Sequence, residues 1–168
     1  LIIFFAPYIL KSELKNCDII KTHQVSGGLV AVICAILFKK KLIIRAGWEP
    51  TKNSKKWGIG FFKYILLIIN SFISYKFSDK IITTSIEIKK FIKKTYSIKN
   101  EKIIVIPNSL DVDKFKRFNK KKEKNRAINI SRLEKQKNLF QLLKICKLAN
   151  LNLDIIGEGS QLNELKRY

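Results

Sequence analysis

Apolar residues in this chain gather into short runs that alternate with longer, helix-like stretches. Residues 18–22 (Asp-Ile-Ile-Lys-Thr), 41–45, 79–85 and 102–106 read as strands. Between them, residues 27–38 are apolar nearly all round and predict a buried helix, and residues 59–77 predict a longer element. Ser85 is placed to cap an amphipathic helix over 86–95, in which Ile88, Phe91 and Ile92 fall at helical spacing. Pro107 and Asn108 stop the fourth strand. The opening run, Leu1–Phe5, reads as a core strand. A signal-peptide remnant is the weaker reading, because neither a basic leader nor a small-residue cleavage site accompanies the run.

The pattern breaks over residues 114–126. Phe118–Asn125 carries many charges and one aromatic side chain, as a solvated linker does. A short strand at 127–130, a helix at 139–149 and a strand at 153–156 then restart the alternation. Three segments follow: a first domain at 1–113, a basic linker at 114–126, and the beginning of a second domain at 127–168. Short apolar strands separated by helices predict an α/β fold, with two Rossmann-like parallel sheets covered on both faces. In such sheets the carboxyl ends of the strands line the ligand crevice. Those ends are Thr22-His23, Arg45-Ala-Gly47, Thr84-Ser85 and Pro107-Asn108, which makes His23, Arg45, Ser85 and Asn108 candidates for the cleft.

Composition changes this picture in two places. The chain has 168 residues, no Met and 46% hydrophobic content, enough for one sizeable core or two small ones. Starting inside an apolar run and stopping in a helix-like stretch, it reads as an internal piece of a longer protein, with both domains truncated. The net charge of +21 invites a nucleic-acid partner. Of the 34 basic residues, however, only 5 are Arg, whereas nucleic-acid surfaces favour the bidentate Arg fork. Abundant Lys, Ile and Asn are also the products of AT-rich codons, and no aromatic side chains interleave with a basic patch. An anionic lipid surface suits the charge better than nucleic acid does. Three scattered cysteines, Cys17, Cys34 and Cys146, lack metal or disulfide spacing and fit a reducing cytoplasm.

Candidate chemistry centres on Arg132 and Lys137, two cations in the loop after the strand at 127–130. Most such residues are simply solvated, but a strand-loop-helix mouth with two cations also suits a diphosphate. Gly157 and Gly159 flank Glu158 after the next strand. They let backbone approach a ligand, and they serve an ordinary strand-to-helix turn equally well. His23 is the only histidine and stands at a strand's carboxyl end, where a lone histidine is more often structural or simply exposed than a substrate contact. Asn108 suits a turn that closes the first domain.

Five short motifs, in order, resemble glycosyltransferase family 4, whose members have the GT-B fold. They are Asp18–Gln24 before a Gly-rich helix start, Leu42–Trp48, Ser78–Ser85, Ile104–Asp111 with Phe115, and Asn129–Phe140 followed by Gly157-Glu-Gly159. The resemblance spans nearly the whole length. Two departures stand out: Ser131 replaces the usual Gly before the Arg, and the Arg45-Ala-Gly-Trp48 loop lacks the His that many members carry. The resemblance implies a retaining transfer of sugar from a nucleotide-sugar donor to a saccharide or lipid-linked acceptor, without metal or cofactor. It assigns Arg132 and Lys137 to the donor diphosphate and Gly157 and Gly159 to the loop beside the nucleotide. Cations fixed there stabilise the charge that grows on the leaving diphosphate as the glycosidic bond breaks. The family's paired glutamates would lie beyond Tyr168, so no catalytic residue is assigned within the chain, which by itself would be inactive. The implied setting is cell-envelope polysaccharide or lipopolysaccharide synthesis in the cytoplasm, at the inner face of the membrane.

Two other classes compete. A non-catalytic basic module would bind anionic membrane or nucleic acid. A dehydrogenase or epimerase would need a Gly-x-Gly-x-x-Gly after a first strand, and none is seen. Residues 61–75 form the most apolar stretch. Lys63 and its length argue against a spanning helix, leaving a sheet-packed helix or a monotopic membrane contact.

Overall fold

The computed structural model describes residues 2–54, 58–115 and 123–168. The chain divides into two compact units, Leu1–Leu110 and Asp111–Tyr168. Most of the linker expected at 114–126, namely 116–122, lies outside the described residues.

The first unit runs α1 (Ile2–Ile9), α2 (Lys11–Asn16), β1 (Ile19–Lys21), α3 (Gly28–Phe38), β2 (Lys41–Ala46), α4 (Pro50–Asn53), α5 (Phe61–Phe77), β3 (Lys80–Thr83), α6 (Ile86–Tyr96) and β4 (Ile103–Val105). The opening run is a helix and not the expected strand. The Leu10 N–H still bonds the Ala6 carbonyl at 2.9 Å, so α1 leads almost directly into α2. A short apolar run carries neither helical nor alternating period, which is why the sequence misleads there.

The four strands form one parallel sheet in the order β1-β2-β3-β4. One sheet face supplies Leu42, Ile44, Ala46, Ile81, Thr83 and Ile103, all buried. Against it pack Val32 and Ala35 of α3, Tyr75 of α5, and Ile92 and Tyr96 of α6. Each fully buried Ile or Leu contributes about 1.5–3 kcal/mol. The opposite face shows Ile19, Lys21, Lys41, Ile43, Arg45, Lys80, Ile82 and Ile104, exposed or half-buried. The sheet is therefore covered on one face among the described residues, not on both as expected. The cause is topological: strands added in one direction by right-handed crossovers put every connecting helix on the same side.

Two sequence features prove to serve packing. A Cβ on Gly28 would lie 1.9 Å from Ser74 Oγ, so the glycine lets α3 press against α5. Asp79 accepts a bond from the Leu42 N–H (2.7 Å), while its own N–H donates to the Leu42 carbonyl (2.8 Å), tying the start of β3 to β2. Ser85 caps α6 as its sequence suggests, its Oγ accepting from the Ile88 N–H at 3.3 Å. The α3 helix is less buried than its composition implies, since Ile36 and Leu37 are exposed.

The second unit holds β5 (Arg126–Ile130), α7 (Leu139–Leu148), β6 (Asn152–Ile156) and α8 (Leu162–Arg167). The strands β5 and β6 are parallel and paired from Arg126↔Asn152 to Ile130↔Ile156. Leu133, Leu139 and Cys146 are buried, while Ile128, Ile130 and Ile156 are exposed on one sheet face. All three cysteines are free, with Cys34 and Cys146 buried.

Candidate functional site

In the second unit the β5–α7 loop leaves the carboxyl end of β5 and meets the β6–α8 loop backbone to backbone. Ser131 N–H bonds the Ile156 carbonyl (3.1 Å), Leu133 N–H the Glu158 carbonyl (2.7 Å), and Gln161 N–H the Leu133 carbonyl (2.9 Å). Glycine is required at this seam. Gly157 and Gly159 have φ of 152° and 156°, and a Cβ on them would lie 1.9 Å from the Ser131 carbonyl oxygen and 2.5 Å from that of Leu133. Both glycines thus hold the chain's own loop close.

Glu134 locks the same seam from the side. Its carboxylate accepts the Ser160 hydroxyl at 2.8 Å and the Ser160 N–H at 3.2 Å. Those bonds, with a smaller contribution from the charge of Arg132, hold it below the usual carboxylate range. Nothing in the local sequence marked Glu134 for this role, because its partner lies 26 residues away.

The seam bounds an open cleft of about 610 Å³, lined by Ile130, Ser131, Arg132, Ile156 and the Gly157–Gly159 segment. Arg132 is exposed, and among the described residues it forms no ion pair within 4 Å. Lys137 is also exposed, on a 3₁₀ turn (Lys135–Lys137) that leads into α7, and it does not line this cleft. Arg132, Gly157 and Gly159 therefore share one cleft, with Lys137 a turn further along.

The carboxyl edge of the first unit is built differently. Arg45 donates through Nη2 to Asn108 Oδ1 at 2.6 Å, joining the ends of β2 and β4. Thr22 Oγ1 accepts the Arg45 N–H (3.0 Å), and Thr84 Oγ1 donates to the Gly47 carbonyl (3.0 Å). All four strand ends thus hold the Arg45–Trp48 loop. Lys21, Arg45, Asn108 and Ser109 line a cleft of about 330 Å³ there. His23 lines a separate groove of about 460 Å³ beside α3. The Ser85 hydroxyl is engaged in capping and lines neither space.

Directly after this loop comes Glu49, a residue the sequence did not single out, only 2% exposed. Its carboxylate caps α4 through the Thr51 N–H (3.2 Å) and accepts the Thr51 hydroxyl (2.8 Å) and the Ser71 hydroxyl (3.5 Å). The hydroxyls of Tyr75 and Tyr96 also donate to it, the latter at 3.4 Å. Burial and the Glu49 charge push the Tyr96 phenol up to about 12, and burial pushes that of Tyr75 further up. Glu49 thereby pins the loop to both α5 and α6. Among the described residues, no group of three or more His, Cys, Asp or Glu side chains is arranged to hold a metal ion.

A parallel α/β sheet followed by a second β-α-β unit with a basic strand-end loop is the architecture of GT-B glycosyltransferases. The glycosyltransferase family 4 profile matches residues 1–114, and the chain belongs to that family. It is 26% identical to an uncharacterized glycosyltransferase of Methanocaldococcus jannaschii over 89% of this chain and 41% of that protein. Among solved structures it resembles Anabaena HepE in complex with UDP and glucose, with a TM-score of 0.70 and 12% identity over 97% of this chain and 46% of that one. HepE in complex with UDP-glucose gives a TM-score of 0.64 at 12% identity, over 94% and 53% of the two chains. The chain thus spans about two fifths to one half of the length of these relatives.

Proposed function

We propose that the protein to which this chain belongs transfers a sugar from a nucleotide-sugar donor to a saccharide or lipid-linked acceptor. The observation that carries the reading is Arg132, an exposed guanidinium without an ion-pair partner among the described residues, in a cleft walled by the backbone of Gly157–Gly159. Family membership supports it, as does the binding of UDP and UDP-glucose by the structurally similar HepE. In this proposal Arg132 grips two oxygens of the donor diphosphate and Lys137 adds a point charge. Both act more strongly as the leaving diphosphate gains charge. The reaction retains anomeric configuration, needs no metal, and belongs to cell-envelope polysaccharide or lipopolysaccharide synthesis. Arg132→Ala in the intact protein should lower kcat/KM by about 100-fold, the loss typical of one such electrostatic contact. An unchanged value would sink the diphosphate role.

A second feature favours work at a membrane. No helix of the described residues is long and apolar enough to cross one. Yet α5 exposes Phe61, Phe62, Leu66, Ile69 and Phe72 along one stripe. Neither α1, α3 nor α5 contains an acidic residue, while Lys63 and Lys76 flank the stripe. We take this as peripheral contact with an anionic inner leaflet. Phe62→Ser/Leu66→Ser should lower flotation with anionic liposomes several-fold, each lost apolar side chain costing about 1 kcal/mol or more. Equal flotation of variant and parent would remove the reading.

A further inference from the structure

Glu134 stands between Arg132 and Lys137 and is bonded to both by its main chain. Its N–H donates to the Arg132 carbonyl at 2.9 Å, and its carbonyl accepts the Lys137 N–H at 2.8 Å. Its side chain leaves this turn and crosses the seam to Ser160, one oxygen accepting the N–H (3.2 Å) and the other the hydroxyl (2.8 Å). Ser160 directly follows Gly159, and the next residue, Gln161, donates its own N–H to the Leu133 carbonyl at 2.9 Å. One residue thus joins the turn that carries both cations to the end of the glycine segment that walls the cleft. Glu134 does not itself line that cleft. A carboxylate beside a diphosphate site repels the ligand, so its charge alone works against binding there. What it supplies instead is a pair of bonds between two loops.

We propose that Glu134 is a positioning residue for the donor diphosphate, holding residues 132–137 and 157–159 at the separation the ligand needs through its bonds to Ser160. The inference rests on the sugar-transfer reading, because it takes the diphosphate to lie at Arg132. With the two loops already joined in the unliganded chain, the ligand does not have to order them on binding. Tether and charge act in opposite directions, and that separates them. Gln at this position keeps a carbonyl oxygen for the Ser160 N–H and an amide N–H for the Ser160 Oγ, and it removes the repelling charge. Ala removes tether and charge together.

The test is calorimetric titration of UDP into the 168-residue chain and its variants, with amide hydrogen exchange followed in the absence of ligand. Glu134→Ala should weaken UDP by about tenfold, as the loss of a charge-assisted hydrogen bond would, and raise exchange at Leu133, Ser160 and Gln161. Glu134→Gln should bind UDP at least as tightly as the parent. Asp154→Ala takes from Arg126 an acceptor at 2.6 Å, loosening the same unit away from the cleft, and should leave UDP binding unchanged. Arg132→Ala reports on the diphosphate reading itself: if it binds UDP as the parent does, or if the parent binds none, that reading fails and this inference with it. If Arg132→Ala loses UDP while Glu134→Ala binds it as the parent does, the positioning role alone is overturned. It is also overturned if Glu134→Ala leaves exchange at Ser160 unchanged, if Glu134→Gln is as weak as Glu134→Ala, or if Asp154→Ala weakens UDP equally.

Discussion

Arg45 and Arg132 both stand at the carboxyl ends of parallel strands, Arg45 as the penultimate residue of β2 and Arg132 two residues past β5, yet their surroundings differ. Arg45 is already bonded to Asn108, and its loop is held by side chains from every other strand end and by the Glu49 network behind it. Arg132 has no ion-pair partner among the described residues, and its loop is held by backbone bonds through two glycines, leaving the guanidinium at an open cleft. One arrangement spends its cation on internal order. The other fixes the backbone by different means and leaves the cation for a ligand. A cation that already donates to a neutral carboxamide must break that bond before it can grip a phosphate, whereas an exposed one need not.

The comparison can be broken most forcefully at Glu49. Glu49→Ala leaves Thr51, Ser71, Tyr75 and Tyr96 hydroxyls without their shared acceptor, and should cost about 3 kcal/mol in chemical denaturation of the first unit. A cost under about 1 kcal/mol would mean that the network is not what orders the Arg45 loop. Next in size is Gly157→Ala, which forces a side chain into the Ser131 carbonyl and should cost about 2–3 kcal/mol. Hydrogen exchange at Ser131 and Leu133 should rise with it; unchanged protection would show that the two loops are not joined through that glycine. A smaller effect concerns alkaline pH. Tyr75 and Tyr96 are pushed up in the fold, Tyr96 to about 12, so the neutral phenols favour the folded form. Stability should hold up to about pH 10, where free tyrosine ionises, and fall as pH rises towards 12. Tyr96→Phe should flatten that fall. A melting temperature that is flat across this window would place the phenols outside the network.

How far the sequence foretold these regions depended on whether the deciding contact was local. Strands β1–β4, the Ser85 cap and the β5–α7–β6 order follow from neighbouring residues, and the sequence carries them in its period and capping residues. The pairing that defines Glu49 reaches Ser71, Tyr75 and Tyr96, which lie 22, 26 and 47 residues away, and a lone Glu after Trp48 carries no trace of it. The single-sided cover of the first sheet was equally hidden, because strand sequences record burial but strand order fixes where the helices go. At the candidate site, the motif singled out Arg132, Lys137, Gly157 and Gly159; Arg132 and the two glycines line one cleft, and Lys137 does not. It did not say that the glycines press on the chain's own backbone, a contact made across 26 residues between Ser131 and Gly157.

The most direct test of the contrast is a backbone amide NMR titration of the chain with UDP, repeated on Arg132→Ala and Arg45→Ala. The account predicts the largest shift changes at Ser131–Leu133 and Gly157–Ser160. Arg132→Ala should lose most of the affinity, about tenfold or more for a charge-assisted phosphate contact, and Arg45→Ala should bind as the parent does. If Arg132→Ala binds UDP unchanged, or if the shifts gather around Arg45 and Asn108, the cation left free is not the one that meets the donor.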